Sequence, residues 1–248
     1  MTATTELSHA NRPEPTTGYW QTLLDGWPPS EAEAPPFHSS YPVRLPDGRI
    51  LVLPLRALPD GRHAVASLIA NQASFAVVDA LAAMMTDLVR PAGVDVVVGL
   101  PTLGLSFAPL VAQRLGHARY VPLGYSRKFW YDDALSEPVS SITSPGGGKR
   151  LYLDPNVAPL LAGRRVCVVD DAISTGASIL AGYRLLARLG IDIALVAVAM
   201  KQTTRWQAPL AAAAPGLDGS VRAVFGCPLF EHCAGGWMPV DGTQPSLP

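Results

Sequence analysis

The residues best suited to chemistry in this sequence are two adjacent acids followed by a turn of small and hydroxyl-bearing residues. Asp170 and Asp171 come after an apolar run at 166–169 and before the segment AISTGAS at 172–178. The apolar run predicts a buried strand and helical spacing resumes after the turn, so the acids end a strand. In open α/β sheets ligands bind at that end, and a helix N-terminus offers unpaired N–H groups to an anion. The arrangement predicts a site for a phosphorylated ligand.

The turn and the acids would contact different parts of such a ligand. Ser174, Thr175 and Ser178 add hydroxyl donors, and Gly176 removes the side chain that would keep an anion from the backbone. Because carboxylates repel a phosphate, the two acids would instead face ribose hydroxyls or a hydrated Mg²⁺ ion. The alternative is an acidic strand end followed by an ordinary helix cap, with no ligand. A sugar phosphate is the ligand that this combination favours.

The segment VCVVDDAISTGAS at 166–178 resembles the signature with which type I phosphoribosyltransferases bind phosphoribosyl pyrophosphate (PRPP). The pattern is a run of aliphatic residues, two acids, two aliphatic residues and Ser/Thr-Thr-Gly-small-Ser/Thr, and every position conforms. The resemblance implies a Mg²⁺-dependent enzyme that transfers 5-phosphoribosyl from PRPP to a nitrogenous base and releases pyrophosphate. It implies catalytic roles for Asp170 and Asp171, which would hold the ribose and, through water, the Mg²⁺ ion. It also implies a 5′-phosphate loop made of Ile173, Ser174, Thr175, Gly176, Ala177 and Ser178.

A second loop of the resembled family binds pyrophosphate through main-chain amides after the preceding strand. Here VVVGLPTLG at 96–104 occupies that place, and its bend lacks the charged residue usual in the family, so Thr102 and backbone N–H groups would make the contacts. After the next strand the family commonly carries a basic residue, for which Arg127 and Lys128 are available, and Lys128 is a candidate catalytic residue. Solvated charges at a loop start are the alternative for these two. The implied pyrophosphate contacts are Pro101, Thr102, Leu103, Gly104, Arg127 and Lys128.

The acceptor base is less well defined by the sequence. Lys201 directly follows a predicted core strand, where 6-oxopurine members of the family often carry a lysine that contacts the O6 oxygen. Ser174 stands where hypoxanthine/guanine members often have an aspartate that accepts a proton, and this departure weighs against that subgroup. Phe225 is a candidate to stack on the base, as are Phe230 and Trp237. A surface lysine and buried structural aromatics are the alternatives, and a purine is the base class favoured.

Hydrophobic periodicity predicts the elements that position these residues. Near-continuous apolar runs separated by segments with helical spacing are typical of a parallel sheet covered on both faces. The predicted fold class is therefore α/β, a Rossmann-like parallel sheet flanked by helices, and the resemblance adds a small hood formed from N- and C-terminal segments. The predicted strands are 94–100, 118–124, 164–171 and, as the last one, 191–200, and the predicted helices are 75–89, 105–116 and 178–190.

Composition changes along the chain predict its domain organisation. The segment at 126–155 has no periodicity and contains three consecutive glycines, so we expect a flexible loop. The resemblance implies that this loop is a lid that closes over PRPP and carries in Lys149, Arg150 or Tyr131. The predicted parts are a Pro-rich extension at 1–36 and a phosphoribosyltransferase domain at 37–248, with a core at about 74–205 and a hood from about 37–70 and 221–240.

Composition also excludes several classes of protein. The 248 residues carry a formal net charge of −1 and no stretch rich in Lys and Arg, so nucleic acid is not an expected partner. The apolar stretches are shorter than the roughly 18 residues of a membrane span, and the start lacks the pattern of a signal peptide. Cys167, Cys227 and Cys233 form no CxxC pair, which favours a reducing cytoplasm and gives no zinc-site spacing.

A binding protein without transferase activity is the alternative to an enzyme. Some proteins that keep this PRPP loop act as PRPP-binding regulators, but these generally add a DNA-binding segment, which residues 1–36 do not resemble. An amidotransferase half is not expected, because no cysteine lies near the start. The resemblance further implies a homodimer, with PRPP, a purine base and its nucleotide as ligands.

Overall fold

The structure is a computed structural model that describes residues 16–27, 34–139 and 149–247. Its strands are β1 (Ser40–Arg44), β2 (Ile50–Ala57), β3 (His63–Ala66), β4 (Val96–Gly99), β5 (Val121–Gly124), β6 (Ser136–Pro138), β7 (Arg150–Leu153), β8 (Arg165–Ile173), β9 (Asp192–Gln202), β10 (Val221–Cys227), β11 (Leu229–Cys233) and β12 (Gly236–Pro239). Its α-helices are α1 (Phe75–Val89), α2 (Ala108–Arg114), α3 (Ala177–Arg188) and α4 (Gln207–Ala213). The strands form a larger sheet in the order β10-β9-β8-β4-β5-β7-β6 and a smaller one in the order β1-β2-β3-β11-β12.

The larger sheet is parallel over most of its width. β10, β9, β8, β4 and β5 run parallel, whereas β7 pairs antiparallel with both β5 and β6 at one edge. α1 and α2 pack on one face and α3 on the other, so β8 and β9 are buried almost throughout. The predicted α/β fold is confirmed. Within the described ranges, no helix is both long and apolar enough to cross a membrane.

β10 extends the sheet beyond the strand that was expected to be its last. It pairs in parallel with β9 from Val221↔Val196 to Cys227↔Gln202. The prediction that the sheet ends with 191–200 is therefore wrong, and the predicted hood segment 221–240 is divided between the two sheets. A short apolar run does not itself show which sheet it joins, because that choice depends on contacts with residues distant in the chain.

The smaller sheet contains strands from both segments from which a hood was expected. Phe37, Tyr41 and Phe230 pack edge to face on one another, with ring centroids 5.0, 5.1 and 6.0 Å apart. The Gln202 side chain at the end of β9 donates a hydrogen bond to the Ala66 carbonyl at 2.8 Å. This contact fastens the smaller sheet to the edge of the larger one where its parallel strands end.

Residues 16–27 of the predicted N-terminal extension pack on the smaller sheet. Trp20 is buried, and its indole N–H donates to the Ser67 carbonyl at 3.0 Å. Leu24 pairs with Ile50 in an isolated antiparallel bridge. Residues 16–27 therefore contribute to the packed structure although they precede the predicted boundary at residue 36.

The segment expected to be a flexible loop contributes two strands to the larger sheet. β6 and β7 lie within 126–155, and Leu151 and Leu153 are fully buried against the face that α3 covers. The expectation of a segment without regular structure is therefore wrong for its described parts, because strands of three and four residues are too short to show periodicity. Residues 140–148, which include the three glycines, lie outside the described residues.

Candidate functional site

The site lies where the strand order of the larger sheet reverses. β4 and β8 are neighbours, but the chain continues from β4 outward to β5 on one side and from β8 outward to β9 and β10 on the other. Connections that leave two adjacent strands in opposite directions open a crevice at their carboxyl ends, and ligands of open α/β sheets bind there. Because Gly99 pairs with Val169, residues 100–104 and 170–178 are the segments that border this crevice.

The two acids lie at this switch point, Asp170 buried and Asp171 half-buried. Asp170 is 6% exposed, and its Oδ1 accepts a hydrogen bond from the Asp171 N–H at 2.9 Å. Burial, and secondarily the adjacent Asp171 charge, raise the pKa of Asp170 well above its usual range, and burial also raises that of Asp171. Burial therefore disfavours two negative charges at this position, and a nearby cation or several hydroxyl donors would stabilise them.

The loop after β4 is in direct backbone contact with the acids. The Gly104 N–H donates a hydrogen bond to Asp170, and a Cβ added at Gly104 would lie 2.8 Å from both the Asp170 Cα and the Val169 carbonyl oxygen. Only glycine permits this approach without a shift of backbone atoms. A cis peptide joins Pro101 to Thr102 at the start of the bend. The structure thus brings the predicted pyrophosphate loop beside the predicted ribose-binding acids.

The turn between β8 and α3 has the backbone geometry that its sequence predicts. Gly176 lies in the left-handed region with φ +80° and immediately precedes the first residue of α3. The Thr175 Oγ1 accepts a hydrogen bond from the Ala177 N–H at 3.5 Å, and Thr175 is exposed. The Ile173 side chain is buried in the core, so this residue can offer a ligand only its backbone. The turn therefore presents small polar groups and a helix N-terminus to the crevice.

Tyr125 is a member of the site that sequence reasoning missed. It directly follows β5, and its hydroxyl is hydrogen-bonded to the Ser178 side chain in the turn. Burial and the nearby Asp170 carboxylate raise the pKa of Tyr125, and the hydrogen bond with Ser178 partly offsets them. The Lys149 ammonium lies 5.2 Å from the centre of the Tyr125 ring. The only sequence signal for Tyr125 is its place after a predicted strand.

Comparison with known proteins decides the family. The sequence model of the family described as "Phosphoribosyl transferase domain" matches residues 64–228, which is most of the chain. The chain belongs to this family. The resemblance inferred from residues 166–178 is confirmed, since the matched region contains β8, the turn and the loop after β4.

Individual relatives of this phosphoribosyltransferase-family chain match shorter regions. Adenine phosphoribosyltransferase 3 from Arabidopsis thaliana is 32% identical over 104 residues, which is 42% of this chain and 53% of the relative. A hypoxanthine/guanine phosphoribosyltransferase from Methanosalsum zhilinae is 32% identical over 111 residues, which is 45% of this chain and 54% of the relative. The chain spans about half the length of these curated relatives.

A solved structure supports the fold of the family. Adenine phosphoribosyltransferase from Rhodothermus marinus superposes with a TM-score of 0.53 over 76% of this chain and 94% of that chain. The sequence identity over this superposition is 17%, so the likeness concerns the fold alone. It agrees with a type I phosphoribosyltransferase architecture.

The predicted basic residues after β5 are exposed. The Arg127 guanidinium donates to the Asp133 carboxylate at 2.9 Å, and Lys128 is exposed. Within the described residues, no hydrogen bond joins either one to the acids or to residues 173–178. Their roles toward pyrophosphate, and that of Lys128 in catalysis, stay predictions. Of the expected lid residues, Arg150 donates to the Ser136 hydroxyl at 2.7 Å.

Tyr131, the other expected lid residue, contacts a residue of the adjacent strand β7. Its ring centroid lies 6.0 Å from that of Tyr152. Burial, and secondarily the charge of Asp154, raise the pKa of Tyr131. Tyr131 is therefore packed beside the sheet edge in this structure.

The predicted base-binding residues are both buried. Lys201 is 5% exposed, its ammonium donates to the Ser246 carbonyl at 3.2 Å, and it lies 5.5 Å from the centre of the Trp206 ring. Burial, and secondarily the charge of Arg222, lower the pKa of Lys201. Phe225 is 1% exposed in the core beside α1, so the expectation that it stacks on a base is wrong in this structure. The physical reason is that β10 belongs to the core sheet.

Gly176→Ala is expected to lower the free energy of unfolding by about 2 kcal/mol and to weaken PRPP binding about tenfold. The new Cβ would meet the Leu210 side chain of α4 at 2.5 Å, in addition to the cost of a positive φ. Either the buried Leu210 side chain or the turn itself must shift to relieve this overlap. Thermal unfolding and calorimetric titration with PRPP measure the two effects.

Gly190→Ala is the matched control for this change. Gly190 has φ +70° and nothing within 4 Å of an added Cβ, so it carries the conformational cost without the steric overlap. We expect the control to bind PRPP as the wild type does. Equal PRPP affinities for the two variants would contradict a ligand held by the turn.

Proposed function

We propose that this chain is an enzyme that transfers the 5-phosphoribosyl group from PRPP to a purine base and releases pyrophosphate. The observation that carries the proposal is the convergence of three segments at the switch point. Asp170 and Asp171 near the end of β8, the turn at 173–178 and the loop at 101–104 border one crevice, with Gly104 hydrogen-bonded to Asp170. The family match and the names of the relatives support the same reaction class.

Each segment has a role in this reaction that its chemistry supports. The turn holds the 5′-phosphate with backbone N–H groups and the hydroxyls of Ser174, Thr175 and Ser178. Asp170 and Asp171 accept hydrogen bonds from the ribose hydroxyls and fix the position of C1. The loop at 101–104 offers N–H groups to the departing pyrophosphate while the C1–oxygen bond breaks and a base nitrogen bonds to C1.

The acid pair also fits a magnesium ion. Mg²⁺ keeps several waters and commonly binds through one or two carboxylates together with substrate phosphates. Within the described residues no cluster of three His, Cys, Asp or Glu side chains could hold a metal by itself. Two acids together with a phosphorylated ligand would supply the kind of coordination that Mg²⁺ commonly has. We propose that Asp170 and Asp171 hold Mg²⁺ through water, and a bound ion would supply Lewis-acid stabilisation to the pyrophosphate.

Adenine is the first purine to test. The Lys201 ammonium that would contact a 6-oxo group is already hydrogen-bonded to Ser246 and lies over Trp206. The reason for preferring 6-oxopurines is therefore weakened, and Ser174 already departs from the hypoxanthine/guanine pattern. Names of relatives include both subgroups, so the proposal extends to purines as a class.

A pyrophosphate-release assay tests the proposed function. The protein is incubated with PRPP and Mg²⁺ and, in parallel, with adenine, hypoxanthine, guanine, xanthine, orotate or uracil, and again with a chelator in place of Mg²⁺. We expect release that depends on a purine and is lost without Mg²⁺. PRPP binding without release would favour a regulator or inactive homologue, and release only with a pyrimidine would overturn the purine assignment.

We further propose a homodimer in the cytoplasm. The homodimer is an analogy with the resembled family, and Phe75 and Phe129, both more than nine-tenths exposed, are apolar surface that a partner could cover. The free thiols of Cys167, Cys227 and Cys233 support a reducing compartment.

A further inference from the structure

Arg205 lies beside the turn that is proposed to hold phosphate, although sequence reasoning gave it no role. Its Nη2 is 3.5 Å from the Ser174 Oγ, and the side chain is exposed at the crevice side of the turn after β9. Within the described residues, no carboxylate lies within salt-bridge distance of Arg205. By contrast, Arg127 is paired with Asp133 and Arg188 with Glu137. The Arg205 charge is therefore available to an anion.

The backbone that carries Arg205 is held in an unfavourable conformation. Thr203 has φ +60°, a region that favours glycine and is costly for a β-branched residue. The Thr203 N–H donates to the Cys227 carbonyl at 2.8 Å, and its Oγ1 accepts from the Arg205 N–H at 3.4 Å. The Trp206 indole N–H donates to the Thr203 carbonyl at 2.9 Å. Such a turn persists because its surroundings fix it, and it fixes the direction in which Arg205 leaves the backbone.

Packing sets the distance between this turn and the phosphate-binding turn. Trp206 is fully buried, and a Cβ added at Gly176 would lie 3.5 Å from the Trp206 Cβ and 2.5 Å from the Leu210 side chain. The start of α4 and Gly176 are therefore in direct contact. This packing places the backbone of Arg205 beside the turn, and the Arg205 guanidinium reaches Ser174 from there.

We propose that Arg205 binds the 5′-phosphate of the ligand held by residues 173–178. The proposal rests on the proposed function and adds a residue to its phosphate site. The turn itself offers only neutral donors. A charged, planar donor that can form two hydrogen bonds would bind a phosphate dianion more tightly than neutral donors alone. Lys201 cannot take this role in the same arrangement, since its ammonium is hydrogen-bonded to Ser246.

Two ligands, each of which corresponds to one end of PRPP, test this proposal. Ribose 5-phosphate carries the phosphate that Arg205 would bind, and inorganic pyrophosphate with Mg²⁺ carries the other end. Arg205→Gln is expected to weaken ribose 5-phosphate binding about tenfold or more, as a lost charge-assisted hydrogen bond does, and to leave pyrophosphate binding unchanged. In the transferase assay we expect a higher KM for PRPP with a much smaller change in kcat.

A conservative and a remote substitution distinguish a role of Arg205 in binding phosphate from a role in holding the structure. Arg205→Lys keeps the charge but not the two-pronged geometry, so we expect it to restore part of the ribose 5-phosphate affinity. Arg184→Gln removes the same charge from an exposed position on α3 and should match the wild type in both titrations. A purely structural role for Arg205 would weaken both ligands together and would not be rescued by lysine.

The outcomes distinguish this proposal from the proposed function. If the wild type binds ribose 5-phosphate and Arg205→Gln binds it within twofold, the role of Arg205 is wrong and the transferase assignment stands. Equal weakening of both ligands also overturns the role. A wild type that binds neither PRPP nor ribose 5-phosphate refutes the proposed function and this proposal with it.

Discussion

Asp170→Asn is expected to lower kcat/KM for PRPP about 100-fold while raising the melting temperature at pH 8 by a few degrees. The amide oxygen can still accept hydrogen bonds from the Asp171 and Gly104 N–H groups, so the backbone arrangement is retained. The charge that would hold ribose and a hydrated cation is lost. Steady-state kinetics with saturating base and thermal unfolding measure the two effects.

The pH dependence of that stability gain has a definite sign. Burial raises the folded-state pKa of Asp170 well above its usual range, so the folded protein holds a proton that the unfolded chain releases. The stability associated with this proton is fully present below the unfolded pKa of about 4 and is lost as pH rises through the folded value. Asparagine has no proton to lose, so the gain in melting temperature of Asp170→Asn over the wild type should be large at pH 8 and should vanish near pH 4.

Asp192→Asn is the control for the change in charge. Asp192 begins β9 at the opposite end of the sheet, and its side chain is 62% exposed. We expect this variant to keep wild-type kinetics and to show no pH-dependent gain. A melting temperature for Asp170→Asn that falls at pH 8, or a gain equal at both pH values, would show that burial of the carboxylate carries no free-energy cost.

The part of the site that is local in sequence could be predicted well. An apolar run, two acids and a turn containing Gly176 are adjacent in the chain, so their pattern alone indicates a strand end, a tight turn and a helix start. The structure places β8 and α3 accordingly, and gives Gly176 the positive φ that its position suggests. The Ser74 side chain caps α1, accepting a hydrogen bond from the Val77 N–H.

Contacts between distant segments could not be predicted in the same way. Arg205 meets Ser174 across 31 positions, and Lys201 meets Ser246 across 45. Hydrophobic periodicity contains no information on which strands become neighbours, so Phe225 was assigned to a base site when β10 belongs to the core sheet. The missed role of Arg205 and the wrong assignment of Phe225 have one cause. In both cases tertiary packing, and not local pattern, decides what the side chain contacts.

Gly104→Ala is expected to raise the Kd for PRPP at least tenfold and to lower the free energy of unfolding by about 2 kcal/mol. The added Cβ would lie 2.8 Å from the Asp170 Cα, the Asp170 Oδ1 and the Val169 carbonyl oxygen. Two of these atoms belong to the backbone of the central strand β8, so no side-chain rotation relieves the overlap. The loop at 101–104 must move away from the acids and lose the hydrogen bond from Gly104 to Asp170.

Gly219→Ala is the control, because nothing lies within 4 Å of a Cβ at Gly219 and its φ is not positive. It should retain wild-type stability and PRPP affinity. Gly104→Ala alters no charge. A loss of PRPP affinity in this variant would therefore be caused by the displaced pyrophosphate loop and not by a change in the ionisation of the acids. If Gly104→Ala loses stability yet binds PRPP as tightly as the wild type, the loop at 101–104 supports β8 but does not contact the ligand, and the pyrophosphate must bind elsewhere.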